Sequence, residues 1–368
     1  MFVPVNEPVI SEKSKKNVMS ALNSGWISSS GEFVGEFEDS FAKKFGVKHA
    51  ITVANGTAAL HVSLLSLGIK TGDEVIVPAF TMAASWMAIM YTGAKPVFVD
   101  CTIDTYNIDV NRIEEKINKN TKAIMPVHLY GHPCNMDRIQ EIARAHNLYI
   151  VEDAAEVHGA KYKEKYAGTI GDLGCFSFYA NKIITTGEGG MIVTDNDELA
   201  QKCRRFKDLH HSDKRFIHDG IGYNYRMTNL QAAIGCGELH YLDTYIDKKI
   251  WMAEKYDRAL DMVKGIKTPI TLPHVKNVYW MYTLLLDEKK IGISRDHFRS
   301  SLKEKGIDTR DFFYPPNDQP ILQSSIGHQQ FPNAKMISRR GLYLPSGLAI
   351  TEEQIHFVTQ SIKEILSK

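Results

Sequence analysis

Residues 177–191 read SFYANKIITTGEGGM. Lys182 stands there between an aromatic, β-rich run and a glycine-rich loop. Most lysines are solvated surface charges, so this one proves nothing alone. The glycines at 187, 189 and 190 let backbone come close to a ligand. The same GEGG also suits a hairpin turn between two strands. The surrounding chain has to separate the two readings.

Outward from this stretch, strand-like and helix-like patterns alternate. HAITV, EVIVPAF, KPVFVD, TKAIMPVHLYG and LYIVEDAAEVHG are apolar runs of strand length, and CFSFYANK and GGMIVTDN are two more. Between them KSKKNVMSALNSG, TAALHVSLLSLG, NRIEEKINKN and MDRIQEIARAHN carry helical spacing, the first closed by Gly25. Strands alternating with helices predict a mostly parallel sheet covered on both faces, an α/β fold. After about Ala233 the texture changes. A long helical stretch, GCGELHYLDTYIDKKIWMAEKYDRALDMV, precedes a smaller α+β set: VYWMYTLLLD, SRDHFRSSLKEKG, IDTRDFFYPP and the helix TEEQIHFVTQSIKEILSK. The length of 368 residues suits about two domains, and we expect a large one over 1–240 and a small one over 241–368.

Composition narrows the function classes. The net charge of +1 argues for neither nucleic acid nor an anionic membrane surface. The five cysteines are odd in number, widely spaced and free of any CxxC, so neither a disulfide framework nor a zinc ribbon is expected, and a reducing cytoplasm fits. The start, MFVPVNEPVISEK, has no basic region followed by an apolar run, so no signal peptide is expected. Residues 75–94 are uncharged and long enough to span a bilayer. Pro78 divides them, however, and they read as a short strand, a turn and a buried helix.

In an open α/β sheet, ligands lie beyond the carboxyl ends of the strands. Three features fall at such ends. Asn55-Gly56-Thr57 follows a strand and opens a helix, where free N–H groups make an anion site; it also reads as a plain turn capped by Thr57. Asp153 ends the run YIVED, as a helix cap or as a buried charge that needs a partner. Lys182 is the third, with Ser177 upstream. A phosphate site, an acid on a strand end and a lysine in a glycine-flanked loop together are what pyridoxal phosphate requires. Its phosphate takes N–H donors, its ring nitrogen a carboxylate, and its aldehyde a lysine amine.

The blocks SGWISSSG, VANGTAALH, GDEVIVPAFT, PVHLYGHPC, VEDAAEVHGA, GCFSFYANKIITTGEGGM, GYNYRMTNLQAAIG and GLYLPS extend the case over essentially the whole chain. In them the sequence resembles the DegT/DnrJ/EryC1/StrS-type aminotransferases, fold-type-I enzymes that act on nucleotide-linked keto sugars. The resemblance implies a seven-stranded sheet, pyridoxal 5′-phosphate as cofactor with pyridoxamine 5′-phosphate as its intermediate form, and a homodimer with active sites at the interface. It implies Lys182 as the catalytic lysine bonded to the cofactor and Asp153 at the ring nitrogen. Gly56, Thr57 and Ser177 would hold the phosphate, with Asn224 reaching it from the partner subunit. Glu156 falls where the family has Gln or Glu beside the cofactor, and Met82 where many relatives stack an aromatic ring on it. Trp26, Ser28, Arg226 and Tyr314 are expected toward the substrate.

The implied reaction moves an amino group from L-glutamate to a nucleotide keto sugar, with GDP-4-keto-6-deoxymannose the expected acceptor. A UDP- or dTDP-linked 4-keto-hexose or a keto-octulosonate is the alternative, since FYPPN carries Asn317 where a histidine is expected and LHHSDKRFIHD also differs. A sugar dehydratase would carry histidine in place of Lys182, and a non-catalytic sensor would not need Lys182, Asp153 and Gly56-Thr57 together. Trp26 also reads as a core residue. His210-His211, and His128, His132 and Cys134, read as loop and strand-end residues rather than as metal ligands.

Overall fold

A computed structural model describes residues 1–214 and 216–367. Its main sheet is built from β1 (His49–Val53), β2 (Glu74–Pro78), β3 (Lys95–Val99), β4 (Thr121–Ile124), β5 (Tyr149–Asp153), β6 (Leu173–Ser177) and β7 (Gly190–Thr194). The spatial order is β1-β7-β6-β5-β4-β2-β3. Strands β3, β2, β4, β5 and β6 pair in parallel; β7 runs antiparallel to both β6 and β1. The fold is therefore α/β with a mostly parallel seven-stranded sheet. β6 and β7 are buried at every position, as layers on both sheet faces demand.

Helices α1 (Glu12–Ser24), α2 (Glu32–Phe45), α3 (Gly56–Ser66), α4 (Ala83–Tyr91), α5 (Met136–His146) and α6 (Asp197–Lys207) belong to this unit. α1 ends at Gly25, whose φ of 73° is the left-handed geometry that favours glycine. α2 sets Phe37, Phe41 and Phe45 against Phe176 of β6 and Phe178 just beyond it. Residues 75–94 form β2 and α4, and among the described residues no helix is long and apolar enough to cross a membrane.

Two expected helices change. Residues 111–120 form two 3₁₀ turns, Val110–Arg112 and Glu114–Lys116. The Asn118 side chain accepts from Asn120 N–H, and Thr121 Oγ1 from Asn118 N–H, local bonds that compete with helix. The long stretch after 233 is two helices, α7 (Asn229–His240) and α8 (Leu242–Leu260), broken at Tyr241. α7 starts earlier than expected because Thr228 and Gln231 form a capping box.

A second, four-stranded sheet joins Ile266–Lys267, Thr283–Leu286, Gly341–Tyr343 and Arg310–Asp311. Its apolar cluster includes Met252, Tyr256, Tyr282 and Phe298, and also Val3 from the chain start. Of the expected strand VYWMYTLLLD only Thr283–Leu286 enters the ladder. Tyr279 has a φ of 46°, so the chain turns there and leaves Trp280 outside the sheet. The last helix spans Glu352–Leu366; Lys368 of that expectation, and Arg215 of the loop LHHSDKRFIHD, lie outside the described residues.

Candidate active site

The carboxyl ends of β1, β5 and β6 converge on one cavity of about 470 Å³. Asn55 caps α3, its side chain accepting from Ala58 N–H at 2.8 Å. The first-turn N–H groups of Gly56 and Thr57 have no acceptor within the helix, and both residues line the cavity. Gly56 is pressed against β6: a Cβ there would sit 2.7 Å from Ser177 Cβ. Glycine thus lets the helix start and the Ser177 hydroxyl share one corner, a cradle suited to an anion.

Asp153 ends β5 and is buried. Its Oδ2 accepts from Ser85 Oγ at 2.8 Å and its Oδ1 from Ala155 N–H at 3.2 Å. Burial raises its pKa, while the Ser85 and Ala155 bonds and the nearby Lys182 charge oppose the rise. A carboxylate held by donors on one side and facing a cavity on the other is ready for a cationic ring N–H.

Lys182 follows the β6 end, its N–H donating to Tyr179 C=O at 2.9 Å. Its Nζ lies 3.9 Å from the Trp280 ring centroid. Burial lowers its pKa, and Glu156 and Asp153 pull the other way. Glu156 is buried, and its Oε2 accepts from Tyr130 N–H at 2.7 Å. Burial pushes its pKa up to about 7 against the pull of Lys182. A carboxyl so raised can carry a proton near neutrality and then donate a hydrogen bond into the cavity. Met82 caps α4, is 53% exposed and lines the same cavity.

Gly56, Thr57, Met82, Asp153, Glu156, Ser177 and Lys182 thus share one cavity. Five other expected residues do not line it. Asn224 is exposed, and its Oδ1 accepts from Arg226 Nη2 at 2.8 Å. Arg226 also pairs with Asp208 at 3.0 Å. The carbonyls of Trp26 and Ser28 accept from the Asn229 side chain and N–H, tying their loop to the start of α7. Trp26 is 60% exposed and Tyr314 is 49% exposed, so neither is a core residue. Among the histidines, His128 Nε2 meets Glu152 at 2.9 Å inside the fold, and His210 Nδ1 meets Asp219 at 2.7 Å.

The sequence reading missed Ser85, Tyr130, Asn181, Trp280, Phe313 and Tyr343. Ser85 sits in an apolar helix with nothing local to mark it. Trp280 reads as part of a strand, and the other aromatics come from separate segments: Tyr130 from a 3₁₀ turn, Phe313 from a loop and Tyr343 from the end of the strand Gly341–Tyr343. Phe313 stacks on Tyr130 at 5° between planes, and Phe313, Trp280 and Tyr343 all line the cavity wall.

Pyridoxal 5′-phosphate fits this donor set. The cradle at Gly56 and Ser177 matches a phosphate, and Asp153 and Lys182 supply an acid and an amine within each other's electrostatic reach. The sequence profile described as the DegT/DnrJ/EryC1/StrS aminotransferase family matches residues 8–363. Over 370 residues the chain is 44% identical to the protein named GDP-perosamine synthase in Escherichia coli O157:H7, spanning 100% of this chain and 99% of that one. S. venezuelae DesV superposes with a TM-score of 0.91 at 33% identity, over 98% of this chain and 100% of that one. Spr1654 of Streptococcus pneumoniae, solved in PLP and PMP forms, superposes in the PLP form with a TM-score of 0.93 at 25% identity, over 100% and 99%.

Proposed function

The chain belongs to the DegT/DnrJ/EryC1/StrS aminotransferase family, and from that premise we propose that it moves the amino group of L-glutamate to GDP-4-keto-6-deoxymannose, giving GDP-perosamine. It is a pyridoxal-phosphate-dependent aminotransferase. The acceptor rests on one observation: the full-length match to a relative whose name carries that product.

When bound, pyridoxal 5′-phosphate supplies an electron-poor ring that stabilises the electron pair left by a broken C–H bond beside nitrogen. The Gly56 and Thr57 N–H groups and the Ser177 hydroxyl bind its phosphate in this reading. Asp153 holds a proton on the ring nitrogen. Lys182 Nζ carries the mobile proton: it takes one from the α-carbon of glutamate, and later delivers one to C4 of the sugar. That work needs an amine able to be neutral near pH 7, and burial moves Lys182 in that direction. Glu156, when it carries its proton, would donate toward the ring's phenolic oxygen, and Met82 would pack over the ring through its polarizable sulfur.

The enzyme works as a homodimer in this reading. Lys182 is the one cation among the described residues that line the cavity, whereas the substrates carry carboxylates and phosphates. Asn224 and Arg226 lie outside the cavity of their own chain, which suits delivery to the partner's site. Trp26, Ser28 and Tyr314 would line the approach for the nucleotide sugar. The division into 1–240 and 241–368 belongs to the same proposal, supported by the seven-stranded sheet before it and the four-stranded sheet after it, while a small three-stranded sheet pairs Val275–Lys276 with Lys161–Tyr162 across it. So does a cytoplasmic location, supported by five unpaired cysteines.

A panel of GDP-, UDP- and dTDP-linked 4-keto sugars with glutamate, read by mass spectrometry, tests the acceptor. Amination of the GDP sugar at the highest kcat/KM is expected. Preference for a UDP- or dTDP-linked sugar would reject GDP-perosamine as the product.

A further inference from the structure

A second lysine is buried behind the first. Lys249 on α8 is 2% exposed. Its Nζ donates to the Trp280 carbonyl at 2.7 Å and to the Ser346 carbonyl. No carboxylate pairs with it among the described residues. An ammonium taken out of water without a counter-charge is costly, and burial brings its pKa down to about 7. An apolar side chain would fill the space at lower cost. What the amine holds is therefore informative.

It holds Trp280. That residue lies outside the sheet ladder, and Lys249 is the donor its carbonyl finds. The indole Nε1 donates to the Asn181 carbonyl at 2.8 Å, in the peptide link that immediately precedes Lys182. The ring face meets the Lys182 amine at 3.9 Å. Trp280 thus grips Lys182 twice, through its backbone and under its amine. A narrow cleft lined by Asn181, Lys182 and Lys249, with Glu7 on its chain-start side, joins one lysine to the other.

We propose that Lys249 is a positioning residue that clamps the Trp280 backbone and so keeps the indole face against the Lys182 amine. The proposal rests on Lys182 as proton carrier. A cation over an indole face is favoured, so the clamp both aims the free amine and holds it near its charged form between proton transfers. Asp153 acts on the amine in the same sense.

The test uses the full-length enzyme loaded with pyridoxamine 5′-phosphate, in which Lys182 is free. The acetylation rate of Lys182 is followed against pH by peptide mass spectrometry, beside kcat and KM. Lys249→Met is expected to lower the labelling midpoint by about 0.5–1 pH unit. It should reduce kcat about 10-fold while KM for glutamate changes less than about 2-fold. Trp280→Leu should do the same, Trp280→Phe should do so more weakly, and the double variant should be no worse than Trp280→Leu alone. A Lys249→Met enzyme that melts earlier yet keeps the wild-type midpoint and kcat would overturn the proposal, as would effects that multiply in the double variant. If Lys249→Met does not fold, Lys249→Gln replaces it with the same readouts. A wild-type midpoint in Trp280→Leu overturns the proposal without any change at Lys249. Turnover surviving in Lys182→Ala would instead remove the proton-carrier reading, leaving the labelling result to judge the clamp alone.

Discussion

Ser85 Oγ donates a 2.8 Å hydrogen bond to Asp153 Oδ2. With its proton committed there, Ser85 accepts from Thr81 Oγ1 at 2.9 Å. A chain of two hydroxyls thus stabilises the charged form of a buried acid. Ser85→Ala leaves Asp153 more easily protonated, because burial already raises its pKa and the Ser85 bond opposes that rise. One lost hydrogen bond to a charged group, about 1.5 kcal/mol, predicts roughly 10-fold weaker cofactor binding. The acid limb of the kcat profile should also move to higher pH. Equilibrium dialysis and a pH–rate series check both.

Lys182→Ala removes the lysine amine from the cavity wall while keeping the cradle at Gly56 and Ser177. The variant should still bind pyridoxal phosphate, without a borohydride-trapped adduct, and its turnover should fall by at least about 10³-fold. Intact mass after reduction, beside a steady-state assay, gives the answer. Normal turnover would end the proposed mechanism.

Glu156→Gln separates charge from shape. The wild-type carboxyl has a folded pKa raised to about 7 against an ordinary 4.5. Between those values the folded state binds more protons than the unfolded state, so this group makes stability fall as pH rises through the window. Below about 4.5 both states are protonated and the penalty is absent; above about 7 it is complete. The amide variant lacks this contribution. In urea unfolding of the cofactor-free chain, it should gain stability over wild type at pH 8 but not at pH 4. An equal difference at both pH values would contradict the assignment.

Gly56→Ala tests the cradle. Helix propensity alone favours alanine by about 1 kcal/mol. The added methyl would meet Ser177 Cβ at 2.7 Å, and overpacking of this kind costs about 1–3 kcal/mol. Strain should win, with a lower Tm and cofactor binding weakened about 10-fold or more. Calorimetry with and without cofactor distinguishes a loss of fold from a loss of the phosphate corner.

The order of strands and helices through β7 was legible because sheets buried on both faces require apolar runs, and helices leave a 3.6-residue spacing. The stretch 111–120 misled that reading because helical spacing is blind to Asn and Thr side chains that bond their own backbone. Gly56, Asp153 and Lys182 were legible for a related reason: each stands where a strand ends, and strand ends in such sheets face the ligand.

By itself the sequence determined the α/β fold, the family and the residue types a phosphorylated heterocycle needs. Only the tertiary structure decided that Trp280 leaves its sheet to lie against Lys182, that Ser85 supports Asp153, and that Lys249 holds the Trp280 carbonyl from behind. Those contacts join positions 31 to 98 residues apart, and local periodicity carries no record of such distances. They follow from burial, which forces each polar group removed from water to find its partner in whichever segment packs beside it.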